Sequence, residues 1–510
     1  MKKPLLLFSL LLSLAACNVV TNNTMYVYGD LNTSFSPQNG AGYQSLESRD
    51  FPHAGKDISS VYSKMYNESH RYCLPSIGEQ KFLVIPVDFE DSVGSLQDLN
   101  DIRRVFFGQM QRNEMPSVAE YYDLSSYGRL QVKGKVASSY YRSKKTIQEL
   151  SSISGSRKTK AALQEIYADA LKWYDETHVD DPSASYACTY QGRTFVPVFF
   201  VYHAPYQVKE VSNRSSMLWA FTINDPAPIS WVSLDMLRSD SGLDTHTCIH
   251  ETGHLFGIPD YYDTQGQENL SSPLGRIDMM DCSLGDHNPF TKFMLGWVKP
   301  MIPTGEGEVT LRPFADTGDC LLIPSPSFNK SLYDQYLLLT YYTPGSLNYF
   351  DAILRDNDAF CMPNASGVLA YQVDARLGYF QTNNSIPRGF VEESTNIDGF
   401  SVFFYHDNSG GTLNEGRVKG DHLLQLIDGS SDSQDLIPNF VGSSEEKAEE
   451  GSTLRNVFFT KGMGMDEGDF RNFRFHPQSM SQNTETISYA WKVKDLSMAR
   501  ASVSFRKRLS

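Results

Sequence analysis

One stretch constrains this chain more than any other. From His250 to Asp260 it reads His250, Glu251, Thr252, Gly253, His254, Leu255, Phe256, Gly257, Ile258, Pro259, Asp260. Residues 247–256 can run as a helix, with Asp244 or Thr245 as the N-cap and Gly257 as the residue that stops it. On such a helix His250 and His254 lie about 6 Å apart along the axis and leave the same face. Two imidazole nitrogens placed this way can each reach one ion at about 2.0–2.1 Å, the usual Zn–N distance. Gly257 can take a left-handed conformation and turn the chain sharply. That turn brings the Asp260 carboxylate back beneath the imidazoles as a third donor, and a catalytic zinc needs a fourth position left open. Glu251, between the histidines, is expected to face that open position, where it would take a proton from zinc-bound water and pass it to a leaving amine. The pentapeptide His250–His254 alone would fit a surface helix carrying two histidines. The glycine and the aspartate at the offsets a third ligand needs set this stretch apart. Asp263 is a rival third ligand on chain reach alone. His246 lies about 12 Å along the axis from His254, too far to share an ion easily, and reads as a supporting or core histidine.

The N-terminus carries a second signal. Lys2 and Lys3 precede an apolar run from Leu5 to Leu14, which ends in Ala15, Ala16 and Cys17. The run is too short to span a bilayer and has the length of a secretory signal. Small residues before a cysteine at that distance resemble a bacterial lipobox. That resemblance implies cleavage before Cys17, a diacylglyceryl group on its sulfur, and export to the outer face of a membrane with the lipid as the anchor. The alternative is an ordinary secretory signal with an incidental cysteine. Export permits disulfides among Cys73, Cys188, Cys248, Cys282, Cys320 and Cys361, but spacing does not select pairs. Cys248 and Cys282 sit within the motifs and can equally be small buried apolar groups. A net charge of −15 argues against nucleic acid as a partner, since phosphate binding calls for a basic face.

At 510 residues the chain exceeds one ordinary core. Residues 18–75 are read as a tether or pro-segment, because their first half is rich in Asn, Ser, Thr and Gly without a sustained apolar period. Residues 76–300 carry the chemistry. Residues 81–89 and 195–202 form dense apolar strands, the second with Pro197 suggesting an edge or a bulge. Residues 117–122 predict a helix and 130–136 an alternating strand. Leu163, Ile166, Tyr167, Ala170, Leu171 and Tyr174 trace the stripe of an amphipathic helix. Beyond about residue 300, short β-rich runs recur at 308–311, 336–342, 367–373, 423–427 and 501–505, separated by Gly, Ser, Asn and Asp. The fold class is therefore α+β, with a β-rich, sandwich-like region over 301–510. The acidic segment 443–451 reads as a solvated loop.

The zinc-helix pattern with its glycine turn resembles the metzincins. Within them, residues 250–263 are similar to the immune inhibitor A-type secreted metalloproteases, which have Asp where many metzincins have a third His. Residues 277–282 resemble that family's Met-turn, which implies that Met280 lies beneath the metal. Residues 287–297 resemble the helix that follows the Met-turn. Residues 81–91, 117–122, 126–128, 218–220 and 367–374 extend the likeness, which is good over about 80–300 and patchy to about 430. Cys282 and Thr340 depart from the pattern, and neither is a proposed ligand. Calcium occurs in related secreted proteases, but no Asp/Asn-rich loop here assigns it.

Together these readings lead to an expected extracellular zinc endopeptidase. Its metal ligands are His250, His254 and Asp260, its general base is Glu251, and Gly257 and Met280 give structural support. Its partners would be protein or peptide substrates, with a membrane reached through Cys17. Two rivals remain: a surface lipoprotein that keeps the fold for adhesion, and one that captures zinc. An intact Glu251 argues against both, since neither needs a base. Cys73, ahead of the first strand, offers a thiolate that could fill the fourth zinc position until removed; a disulfide or a buried thiol is the plainer reading.

Overall fold

The computed structural model describes residues 40–45, 73–110, 114–190, 193–204, 217–239, 242–262, 273–275, 277–281, 283–328, 332–354, 362–381, 387–390, 400–406, 408, 422–427, 457–465 and 489–507. Cys17, nearly all of residues 18–72, Asp263, Cys282, Cys361 and the segment 443–451 lie outside the described residues. The fold is mixed α/β with more strand than helix, and the chain divides into two compact units.

The first unit comprises residues 73–123 and 130–257 among those described. Its sheet is built from β1 (Gly78–Asp88), β2 (Leu130–Val136), β3 (Val198–Tyr202), β4 (Phe221–Asn224) and β5 (Pro228–Ser233), in the order β2-β1-β3-β5-β4. The first four strands in that order run parallel, and β4 closes one edge antiparallel to β5. Parallel strands covered on both faces read as unbroken apolar runs; β3, with Val198, Phe199, Phe200, Val201 and Tyr202 all buried, is such a strand. Strand parity divides the layers. Leu83, Ile85, Val198, Phe200, Ile229 and Trp231 share one core with Leu163, Ile166, Ala170 and Tyr174 of helix α3 (Ser156–Thr177). On the opposite parity, Phe82 and Phe199 pack their rings on Phe106 of helix α1 (Leu96–Phe107). Helix α4 (His246–Leu255) packs on β4 and β5.

Several sequence expectations shift by a residue or a few. The helix expected over 117–122 is α2, Val118–Ser125. The run 195–202 is not one edge strand. Arg193–Phe195 pairs with Cys188–Tyr190 in a hairpin, and β3 lies in the sheet interior between β1 and β5. Pro197 falls just before β3, where its missing N–H costs no ladder bond, and its carbonyl accepts from Leu83 N–H at 3.0 Å.

The second unit comprises residues 40–45, 124–129 and 258–507 among those described. One of its sheets orders Tyr43–Ser45, Met301–Pro303, Cys320–Pro324, Gln335–Tyr342, Gly367–Asp374 and Leu424–Leu426. Another orders Gly307–Leu311, Arg500–Lys507, Tyr489–Ser497 and Gly464–Met465. Alternate residues of both meet in one core, among them Leu337, Leu339 and Tyr341 from the first and Trp491, Val493, Val503 and Phe505 from the second. Lys492 and Lys494 interleave on the other face of Tyr489–Ser497 and are exposed, the period-2 pattern of an antiparallel sheet with one wet face. No helix among the described residues is long and apolar enough to cross a membrane.

Candidate metal centre

Helix α4 starts one residue earlier than the sequence suggests, at His246. Thr245 occupies the cap position without a side-chain cap bond, and Asp244 Oδ1 takes the His246 N–H at 2.9 Å. The helix ends in a tight turn: Phe256 N–H donates to the Gly253 carbonyl and Gly257 N–H to the His254 carbonyl, both at 3.0 Å. Gly257 has φ +81°, in the left-handed region that a side chain resists. The apolar side of the helix is anchored at three points. Tyr122 Oη donates to the Ile249 carbonyl at 2.7 Å. The Tyr122 ring packs on Phe256, and Leu74 N–H donates to the Leu255 carbonyl at 2.8 Å. Cys248 is buried on that side, and burial pushes its thiol well up, so it stays a protonated apolar filler.

His250 and His254 project together, their rings nearly perpendicular with centroids 4.9 Å apart. Once the chain has turned at Gly257, Asp260 joins them. One ligand atom from each of His250, His254 and Asp260 lies within 4.8 Å of the other two, and all three residues are half-buried. Donors around a tetrahedral ion at about 2.0–2.1 Å sit about 3.4 Å apart, so small side-chain adjustments would let this group share one ion. Two imidazoles and a carboxylate suit a borderline divalent cation such as zinc. His246 stands beside His250, ring centroids 6.3 Å apart, and is not a member of the group. Cys73 is buried and is not a member either. Asp263, the rival ligand, lies outside the described residues.

Within the second unit, residues 277–281 support the segment that carries Asp260. Tyr261 N–H donates to the Met280 carbonyl at 2.9 Å, and Met280 is fully buried. Asp278 holds the turn. Its Oδ1 accepts from Met280 N–H at 2.7 Å, and its Oδ2 accepts from Asn288 N–H at 2.6 Å and Asn288 Nδ2 at 2.9 Å. Burial pushes the Asp278 carboxyl up to about 7, against these hydrogen bonds. Asn288 also caps helix α5 (Pro289–Met294), taking the Thr291 N–H at 2.8 Å, while Tyr261 Oη meets Thr291 Oγ1 at 2.6 Å.

Four polar residues that the sequence reading did not single out complete the picture. Thr222 Oγ1 lies 2.7 Å from Glu251 Oε2 and 2.8 Å from Ser230 Oγ. Thr222 and Ser230 are register partners across β4 and β5. Both hydroxyls also approach the Glu251 carbonyl, at 3.3 and 3.4 Å. In the second unit, Lys292 is completely buried and paired with Asp286. Nζ also reaches Tyr127 Oη at 2.9 Å and lies over the Tyr127 and Phe314 rings. Asp286 takes a further bond from Ser125 Oγ at 2.6 Å. Burial draws both Asp286 and Lys292 toward their neutral forms, against their mutual attraction. Thr222 and Ser230 stood in runs with no assigned period, and Lys292 sat in a recognised helix where a lysine ordinarily faces solvent.

The sequence matches no protein-family model and no curated protein.

Proposed function

We propose that the chain is a zinc-dependent endopeptidase with a metzincin-like catalytic domain. The observation that carries this reading is the convergence of the His250, His254 and Asp260 donor atoms within 4.8 Å, with Glu251 in the same helix and buried. A zinc ion held by those three donors supplies Lewis acidity, acidifying water and polarising a carbonyl. His250 and His254 bind from one helical turn, and Asp260 binds from beyond the Gly257 reversal. Glu251 accepts a proton from the attacking water and returns it to the leaving amine. Met280 closes the space under the segment that bears Asp260. A zinc-capture lipoprotein would need the donors but not Glu251. The basic start, the apolar run and the small residues before Cys17 support an exported enzyme held by a lipid on that cysteine, and the β-rich region over 301–510 would bind substrate or shield the site.

The test is cleavage of casein or gelatin by the purified full chain, with and without a zinc chelator, next to Glu251→Ala and Asp260→Ala. Cleavage should vanish with chelator. Glu251→Ala should retain zinc while losing activity by about 10²-fold or more, and Asp260→Ala should lose zinc. Chelator-insensitive cleavage, or a Glu251→Ala protein as active as the wild type, refutes the reading.

A further inference from the structure

We propose that Thr222 is a positioning residue for Glu251. It fixes one carboxylate oxygen and leaves the other to the chemistry. This rests on the peptidase reading above and adds to it a residue outside the metal motif.

Strand parity puts Thr222 where it can act. Phe221 and Ile223 pack into the core shared with α3, so the side chain between them faces the other side of the sheet, where α4 lies against β4 and β5. Ser230, its register partner, faces the same way. A hydroxyl has one proton to give. The shortest contact of Thr222 Oγ1 is to the carboxylate at 2.7 Å, and a bond to an ionised acceptor is the stronger one. Thr222 therefore donates to Glu251 Oε2, and Ser230 Oγ, at 2.8 Å, donates to Thr222. Two hydroxyls in series, each rooted in a paired strand, polarise one another toward the carboxylate. None of the described residues hydrogen-bonds Glu251 Oε1.

A glutamate has three rotatable side-chain bonds, and a general base must keep its oxygen within hydrogen-bond reach of the proton it takes. An anchor on Oε2 removes the rotamers that would swing Oε1 away. The effect belongs to the chemical step and not to substrate capture. Thr222→Val keeps a β-branched side chain suited to the strand and removes the donor. Thr222→Ser keeps the donor.

The experiment measures kcat, KM and zinc content for wild type, Thr222→Val and Thr222→Ser, on a quenched peptide chosen from the wild-type digest. Thr222→Val should lower kcat about 10- to 100-fold, the range for a hydrogen bond to a charged group. Its KM should stay within about twofold, with full zinc content. Thr222→Ser should restore most of the rate. Three results overturn the proposal: a Thr222→Val kcat close to wild type, an equal fall in both variants, or zinc loss in step with the rate. A wild type without chelator-sensitive cleavage overturns the peptidase reading itself and this proposal with it; an active wild type with an unaffected Thr222→Val overturns this proposal alone.

Discussion

Replacing Lys292 by methionine probes a fully buried lysine of the second unit and its carboxylate partner. Lys292 has no exposed side-chain surface and Asp286 only 4%. The substitution keeps an unbranched apolar stem, so the packing loss stays below about 1.5 kcal/mol. It leaves Asp286 facing Ser125 Oγ and the His287 N–H without its cation. It also deprives Tyr127 Oη of the Nζ at 2.9 Å. Removing one partner of a buried pair typically costs about 3–5 kcal/mol, because the remaining charge is uncompensated. Against a total stability of about 5–15 kcal/mol, that is a large fraction. Asp286→Asn should cost a similar amount by stranding the ammonium. The double variant Lys292→Met with Asp286→Asn buries no charge and should recover about 2–4 kcal/mol relative to the sum of the singles. Urea denaturation followed by tryptophan fluorescence reads this directly, since Trp297 is fully buried with its ring beside His287. Single variants that each cost less than about 1 kcal/mol, or a double variant equal to the sum, would refute the view that the pair is an obligate buried unit.

Two further variants test the supports of the candidate site. Asp278 has a folded-state pKa of about 7, above the ordinary value of about 3.9. Its raised pKa adds stability that is fully present below pH ~3.9 and lost as pH rises toward ~7; Asp278→Asn should flatten that part of a Tm-versus-pH curve, and an unchanged slope between pH 4 and 7 counts against the assignment. Gly257→Ala forces a Cβ onto a residue at φ +81° and should cost about 1–2 kcal/mol; if the reversal seats Asp260, zinc affinity measured by competition with a chromophoric chelator should fall with it, and unchanged affinity argues that the turn can be remade.

The parts of this chain that were legible in the sequence are those whose partners lie within a turn or two. The i, i+4 histidines, the glycine reversal and the α3 stripe are local geometry: the histidine helix starts one residue from where it was expected, Gly257 is left-handed, and the stripe falls inside Ser156–Thr177. The β-rich runs beyond residue 300 were legible for the same reason, since a strand's run of apolar residues, buried throughout in Gln335–Tyr342 and alternating in Arg500–Lys507, is a property of that strand alone. Pro197 misled because proline inside an apolar run signals an edge, whereas here it ends one hairpin and precedes an interior strand. Thr222 was invisible: its meaning comes from its register with Ser230 and from a helix that follows it by more than twenty residues.

Three buried carboxylates in the described residues differ in how their oxygens are engaged. Asp278 has both oxygens engaged, Oδ1 by Met280 and Oδ2 by Asn288. Asp286 has both engaged as well, Oδ1 by Ser125 and His287 and Oδ2 by Lys292. A buried carboxylate satisfied at both oxygens is held in place. Such groups suit the fixing of turns. Glu251 is as buried, at 4% exposure, yet its engagement is one-sided: Thr222 meets Oε2, and Oε1 has no hydrogen bond among the described residues. This is what a group needs if it must accept a proton from a third party and release it again. The one-sided engagement of Glu251 is the arrangement that the proposed general base would use.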